Sequence, residues 1–272
     1  MKATRWRMYV LTGVVVAIFL LYMMPLFWMV SSSFKTEKEI AAQQWLPSKW
    51  RLDNYTLIFG RAKISRWFLN SLIVSTTSTI GIVFISLFAG YALGRMEFPG
   101  KRVVFLLALS GFMIPLHAIM IPLFLLLKKM NMINSYGGLI LPGLASSLGV
   151  LVLSQYFKGI DREFEEAARL DGASEWQILY WVMAPMAIPA IMTVGIVSFT
   201  GAWNDFVWPL IIAQTDKMYT LPVGLATLAG GDTNIRFGPI MAANVMASLP
   251  VFIVYLFFQQ YLVKGVTIGD LK

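Results

Sequence analysis

The 272-residue chain is 58% hydrophobic and only 13% charged, with a mean hydropathy of +0.70. Soluble domains are about one-quarter charged, so this composition excludes one and points to an integral membrane protein; its spans are helices, because an apolar run in lipid must satisfy its own backbone. Zero cysteines exclude disulfides and thiolate sites, and the single histidine, His117, excludes a multi-histidine metal cluster. The net charge of +8 comes from scattered basic residues that suit membrane flanks rather than nucleic acid.

After a short polar tail with Lys2, Arg5 and Arg7, residues 9–30 form an apolar run. It exceeds the ~20 residues that cross a bilayer and lacks the short core and small-residue cleavage site of a signal peptide, so it reads as an uncleaved first span. The polar segment 31–67 carries Trp45, Trp50 and Tyr55. These aromatics suit either a strip lying at the membrane surface or a loop folded against its own bundle. A second span, 68–93, opens with Asn70-Ser71, and its hydroxyls at 75–79 are expected to bond neighbouring helices. The third, 103–127, contains Pro115, His117 and Pro122, and residues 128–135 form a turn. The fourth, 136–157, offers Gly143, Ala145, Ser146, Ser147 and Gly149 for close helix contact. A polar loop at 158–185, a fifth span at 186–213, a loop at 214–239 and a sixth span at 240–263 complete the chain. The expected fold is an all-α membrane protein with six transmembrane helices in one domain, 1–272.

The loop at 158–185 is the one long charged island between apolar blocks, with Asp161, Glu163, Glu165, Glu166, Asp171 and Glu175. Its pattern predicts two short helices with a sharp joint. Asp161 is placed to cap the first and Gly172 to end it at C′. Ser174 with Gln177 makes a capping box for the second, and Pro185 and Pro189 mark entry to the next span. Phe164, Ala167, Ala168 and Asp171 share one helical face, where two alanines allow close approach and Phe164 supplies an apolar knob. From the residues alone, a solvated loop between spans is the favoured reading.

The same residues resemble the EAA loop of permease subunits of binding-protein-dependent ATP-binding-cassette (ABC) importers. That pattern is Glu-Ala-Ala, three residues, Gly, nine residues, then Ile-x-Leu-Pro. Glu166, Ala167, Ala168, Gly172 and Pro185 match it, while Val182 and Ala184 replace the Ile and Leu. The run Asp171-Gly172-Ala173-Ser174, the phrase from Leu46-Pro47 to Leu52-Asp53-Asn54-Tyr55, the stretch IPLFLLLKKMNMINSYGGLILP and the motif WNDFVWP are similar to the carbohydrate-importing branch.

The resemblance implies a type I ABC importer permease fold in the bacterial cytoplasmic (inner) membrane. It also implies a second permease subunit, a dimer of ATPases that bind ATP and Mg, and an extracytoplasmic sugar-binding protein. The coupling residues would be Phe164, Glu165, Glu166, Ala167, Ala168, Asp171 and Gly172. Trp203, Asn204, Asp205 and Trp208 would line the substrate path, although Asp205 can equally serve as an internal structural partner. Gly230, Gly231, Asp232 and Asn234, around the flexible Gly230-Gly231 tip, would reach toward the binding protein; a plain connecting loop is the other reading. The 22 Lys and Arg residues divide evenly between the two sides of a six-span topology. Cytoplasmic termini and an external 31–67 segment therefore follow from the side on which an EAA loop must face its ATPase.

No G-x-x-x-x-G-K-[ST] phosphate loop is present, so ATP hydrolysis falls to a partner. An ion- or proton-coupled secondary transporter is the alternative. It would require ionisable groups in several spans, where this chain offers Asp205 and His117. His117 alone in its span suits packing or hydrogen bonding more than proton relay. A membrane-embedded enzyme lacks any catalytic cluster.

Overall fold

The computed structural model describes residues 2–60, 62–230 and 236–267, and among these the regular elements are all helical. In chain order they are α1 (Lys2–Ser32), α2 (Glu37–Ala41), α3 (Asp53–Gly60), α4 (Ala62–Arg95), α5 (Lys101–Met113), α6 (Leu116–Lys129), α7 (Tyr136–Ile140), a 3₁₀ turn (Leu141–Leu144) and α8 (Ser147–Lys158). There follow α9 (Glu163–Leu170), α10 (Glu175–Gln177), a π-helical turn (Ile178–Met183), α11 (Ala184–Met186), α12 (Ile188–Asn204), α13 (Val207–Ile212), α14 (Leu221–Gly230) and α15 (Phe237–Thr267). Among the described residues, three helices are long and apolar enough to cross a membrane, and the number reaches six if each of three bent pairs is one span.

The bent pairs depart from the continuous spans expected at 103–127, 136–157 and 186–213. In the first, α5 and α6 meet at 102°. Ile114 and Pro115 are both extended there, with ψ of 113° and 134°, because a proline ring pushes the residue before it out of the helical region. Pro122 is instead accommodated within α6. The second pair bends by 40° where the 3₁₀ turn gives way to α8, whose first turn is capped by Ser146 Oγ accepting from Gly149 N. The third bends by 77° at Ala187, so helical backbone begins at Glu175 rather than at 186. Ile178, Leu179 and Met183 are buried in the part expected to be polar loop. Short helices also occupy the expected loops at 31–67 and 214–239.

The chain divides into two compact units, Met1–Ser65 with Gly224–Leu249, and Arg66–Val223 with Pro250–Lys272. In the first, polar side chains wire the 31–60 segment together. Thr36 and Glu39 form a capping box on α2, and Glu39 also accepts from Ser48 N at 2.9 Å. Asn54 donates to the carbonyls of Ser33 and Lys35. Glu37 accepts from the first amides of α15, Phe237 N at 3.0 Å and Gly238 N at 2.9 Å, a carboxylate at a positive helix end. Trp45 and Trp50 pack edge-on against Trp28 and Phe34 while each leaves about half or more of its surface exposed, so the segment folds against its own chain.

The second unit is built on the packing of α4 against α8. A Cβ at Gly90 would lie 2.7 Å from Leu153 Cβ, and one at Gly94 would lie 2.9 Å from the Ser154 carbonyl oxygen. Gly149 of the expected small-residue run approaches Ser86, whereas Gly143 has open space. The hydroxyls of Ser75 and Thr79 bond back to Ser71 O and Ser75 O of their own helix, so the expected interhelical bonds are absent at these two residues.

Two predictions follow from this packing and wiring. Gly94→Val should destabilise the fold by about 1–3 kcal/mol through overpacking against backbone, read as a lowered thermal midpoint in detergent, whereas Gly13→Val, with nothing within 4 Å, should not. The amides of Thr36 and Ser48 hold the Glu39 carboxyl down at about 2, so its contribution is complete above the ordinary carboxylate range and is lost as pH falls toward 2. Hydrogen exchange at those two amides should therefore be faster in Glu39→Gln than in wild type at neutral pH, and the difference should vanish in strong acid.

Candidate functional site

The acidic loop folds as two helices with a tight joint. Gly172 adopts φ +82°, Gly172 N donates to Arg169 O at 3.0 Å and Ala173 N to Ala168 O at 3.0 Å. These paired bonds form a Schellman turn, which requires a left-handed residue at this position. Ser174 and Gln177 form the capping box of α10. Asp161 is not the cap of α9: the N-cap is Arg162 and no side chain caps it. Glu163, Glu165 and Glu166 in the first turn instead complement the positive end of the helix dipole.

α9 has a buried side and an exposed side. Glu166, Ala167 and Asp171 are exposed, as is Phe164, while Ala168 packs into the core of Leu153, Phe157, Ile178 and Met183. Glu165 departs from its expected place among the docking residues. It is buried, and its carboxylate meets Arg95 Nε at 2.9 Å. The same guanidinium donates to the carbonyls of Ile160 (2.7 Å) and Phe157 (3.2 Å), so it also closes the C-terminal end of α8. Arg169 pairs with Glu175 at 2.7 Å across the joint, and Tyr91 donates to Glu175 at 3.1 Å.

Sequence reasoning missed Leu170 and Trp176, which leave 89% and 63% of their surfaces exposed beside the joint. A large apolar residue in a polar loop was the available signal. It also missed Arg95, which reads in the sequence as one more flanking cation.

At the WNDFVWP motif the chain leaves the helix rather than crossing mid-span as one. α12 ends at Asn204, Asp205 is extended (ψ 126°), and α13 starts at Val207. Asp205 Oδ1 accepts from Trp208 N at 3.4 Å, so it meets a first-turn amide of α13 from one residue before Phe206, the N-cap position. Trp203 is buried, stacked on Phe199 and edge-on to Phe68. Trp208 is buried in a cluster with Val74, Met120 and Leu139, and its indole N–H donates to Gly138 O at 3.0 Å. Of the four expected path residues, Asn204 is exposed and Asp205 partly so, and the two tryptophans are packing residues. His117, at the start of α6, is exposed.

A recess of about 450 Å³ lies between α4, α12 and the C-terminal half of α15, lined by Val83, Phe84, Ile191, Phe199 and Phe258 with Thr79 its one hydroxyl. It lacks the polar groups that orient a sugar. Gly230 ends α14, and Gly231, Asp232 and Asn234 lie outside the described residues.

Residues 81–268 match the family model described as binding-protein-dependent transport system inner membrane component. The chain is 36% identical over 258 residues to the arabinooligosaccharides transport system permease protein AraQ of Bacillus subtilis, covering 93% of this chain and 92% of the relative. It is 30% identical over 267 residues to the trehalose/maltose transport system permease protein MalG of Thermococcus litoralis, covering 97% and 95%. Its fold is similar, with a TM-score of 0.85 and 25% identity over 94% of this chain and 96% of the other, to a chain in the crystal structure of a bacterial ABC transporter involved in the import of the acidic polysaccharide alginate. On the sequence match and the shared fold, the chain belongs to the inner membrane components of binding-protein-dependent ABC transport systems.

Proposed function

We propose that this chain is one of two membrane-spanning subunits of a bacterial sugar importer, and that the loop around α9 is where it receives the force of ATP binding. The observation that carries the reading is the joint at 163–177: an acidic helix with exposed Phe164, Leu170 and Trp176, held from behind by the buried Glu165–Arg95 pair. Exposed apolar side chains ringed by carboxylates suit a groove with basic walls on a soluble partner. Relatives named for arabinooligosaccharide and trehalose/maltose transport support a carbohydrate substrate.

In this reading the loop faces the cytoplasm together with both termini, and the 31–67 segment and the 214–239 loop face outward, the latter toward the sugar-binding protein. The partner ATPases bind ATP and Mg; closure of their dimer carries the docked loops together and reopens the path to the outside. Such a change is transmitted only if the ATPase binds one permease conformation better than the other. Asn204 and Asp205, at the break between α12 and α13, supply the polar groups of this subunit's path. Non-helical backbone at membrane depth is tolerated where it is buried in protein or lines a water-filled cavity.

Two substitutions in the joint should fail differently. Gly172→Val strains a left-handed position by about 1–2 kcal/mol or more and misdirects α10. ATPase co-purification should then fall at low and high salt alike. Glu166→Lys leaves the backbone alone and places like charges in contact, so its defect should shrink as salt screens the repulsion. Wild-type attachment and uptake in both variants would remove the loop from the coupling interface.

At the path, Asp205→Asn keeps an acceptor for Trp208 N and should preserve the thermal midpoint, whereas Asp205→Ala loses a cap of about 1 kcal/mol. Both should lower sugar uptake by roughly ten- to a hundredfold, the scale of one lost charge-assisted hydrogen bond. Full uptake by Asp205→Asn would reduce Asp205 to a cap.

A further inference from the structure

α4 is bound at both ends to segments that no helical hydrogen bonds connect to it. At the end nearer Arg66, four side chains hold the segment 216–221, which runs from the turn after α13 into the first residue of α14. Trp67 Nε1 donates to Asp216 O at 2.7 Å and Arg66 Nε to Lys217 O at 2.9 Å. Asn70 Nδ2 donates to Lys217 O and Tyr219 O, at 2.9 and 2.8 Å, while its Oδ1 accepts from Tyr136 Oη at 2.6 Å. Ser71 Oγ accepts from Leu221 N at 2.7 Å, at the first residue of α14.

At the other end Arg95 holds Glu165 of α9 and the carbonyls that close α8, and Tyr91 holds Glu175. Asn70 is 1% exposed, and the Arg95 side chain 5%. Arg66, Lys217 and Glu175 are exposed, so the bonds withheld from water are those of the Asn70 and Arg95 side chains, and removing either side chain leaves buried polar groups unpaired. Between the two ends α4 is a single helix, about 44 Å from residue 66 to residue 95 at ~1.5 Å per residue. Gly90 and Gly94 seat it directly on the α8 backbone, which opposes bending near the Arg95 end.

We propose that α4 is a rod that joins the acidic loop to the 216–221 segment, with Arg95 and Asn70 as the positioning residues that attach it. The proposal rests on the coupling reading above and adds where the movement goes. A displacement of α9 is delivered along α4 to the segment that leads into α14, without passing through the α12–α13 break. Coupling between distant sites is carried by packed side chains, hydrogen-bond networks and rigid secondary elements. Here each attachment is several bonds sharing one buried side chain.

The chain has no cysteine, so labels can be placed singly. Spin labels at Glu163→Cys and Lys217→Cys, both exposed sites, report the rod in the assembled complex in nanodiscs. A second label pair joins the acidic loops of the two permeases. Between the nucleotide-free state and the state trapped with Mg-ATP and vanadate, the loop-to-loop distance should shorten and the 163–217 distance should stay constant. No change between the loops overturns the coupling reading itself. A loop change accompanied by a change from 163 to 217 overturns the rod and leaves coupling standing.

Arg95→Gln should broaden the 163–217 distribution and lower uptake per ATP by roughly two- to thirtyfold, the range measured along coupling networks. Arg95→Lys should restore part of both. Asn70→Ala should give the same loss, and the double variant should be no worse than the poorer single. Sites this far apart ordinarily add, so additive losses would mean two independent structural injuries and no rod.

Discussion

In an apolar medium each backbone N–H and C=O must find a partner within the protein, and this single obligation organises the second unit. Its helices are interrupted repeatedly, and a side chain meets the freed groups at one break after another. Ser135 Oγ accepts from Gly138 N at the start of α7, Ser146 Oγ from Gly149 N at α8, and Asp205 Oδ1 from Trp208 N at α13. Asn134, at a left-handed φ of +57°, accepts from Gln214 N and Thr215 N and donates its own amide to Ile212 O where α13 ends. Asn70 and Arg95 do the same for carbonyls. Other polar residues lie mid-helix instead: Ser75, Thr79 and Thr193 bond back to carbonyls of their own helices.

This changes the meaning of Asp205, the carboxylate within the fifth apolar stretch. Read as part of a continuous span, Asp205 is costly and suggests function by its cost alone. Placed at the break, it has a structural task. A functional task then rests on its partial exposure and on Asn204 beside it. The aromatic residues of the motif divide in the opposite direction. Trp203 and Trp208 have the chemistry of sugar-stacking platforms, but both are enclosed by their own chain.

The acidic loop, a charged segment between apolar blocks in the sequence, is held at several points in the fold. The Schellman turn fixes its direction, the Arg169–Glu175 pair spans the joint, and Glu165 is drawn inward by Arg95. Burying an ion pair is costly and does not by itself add stability. Here the guanidinium also satisfies the end of α8, so the loop is tied to the bundle through its backbone as well as through charge. The exposed Phe164 and Leu170 are then presented from a fixed base.

Much of this was legible without coordinates where the signal is local. Composition determined a helical membrane protein, because lipid leaves the backbone few choices. Glycine at 172 followed by Ser174 and Gln177 determined the turn and the next helix start, because positive φ and capping depend on a few adjacent residues. The motif at 166–172 and its surroundings determined the family. Breaks within spans were only partly legible: Pro115 sits at one, yet Pro122 is absorbed into a helix. Which acidic residues point outward was decided by tertiary structure alone. Glu165 and Glu166 are adjacent and chemically alike, and only the position of Arg95, 70 residues earlier, buries one and leaves the other exposed. The same holds for Trp203 and Trp208, because burial is settled by neighbours distant in sequence, and periodicity within one helix does not say what packs against it.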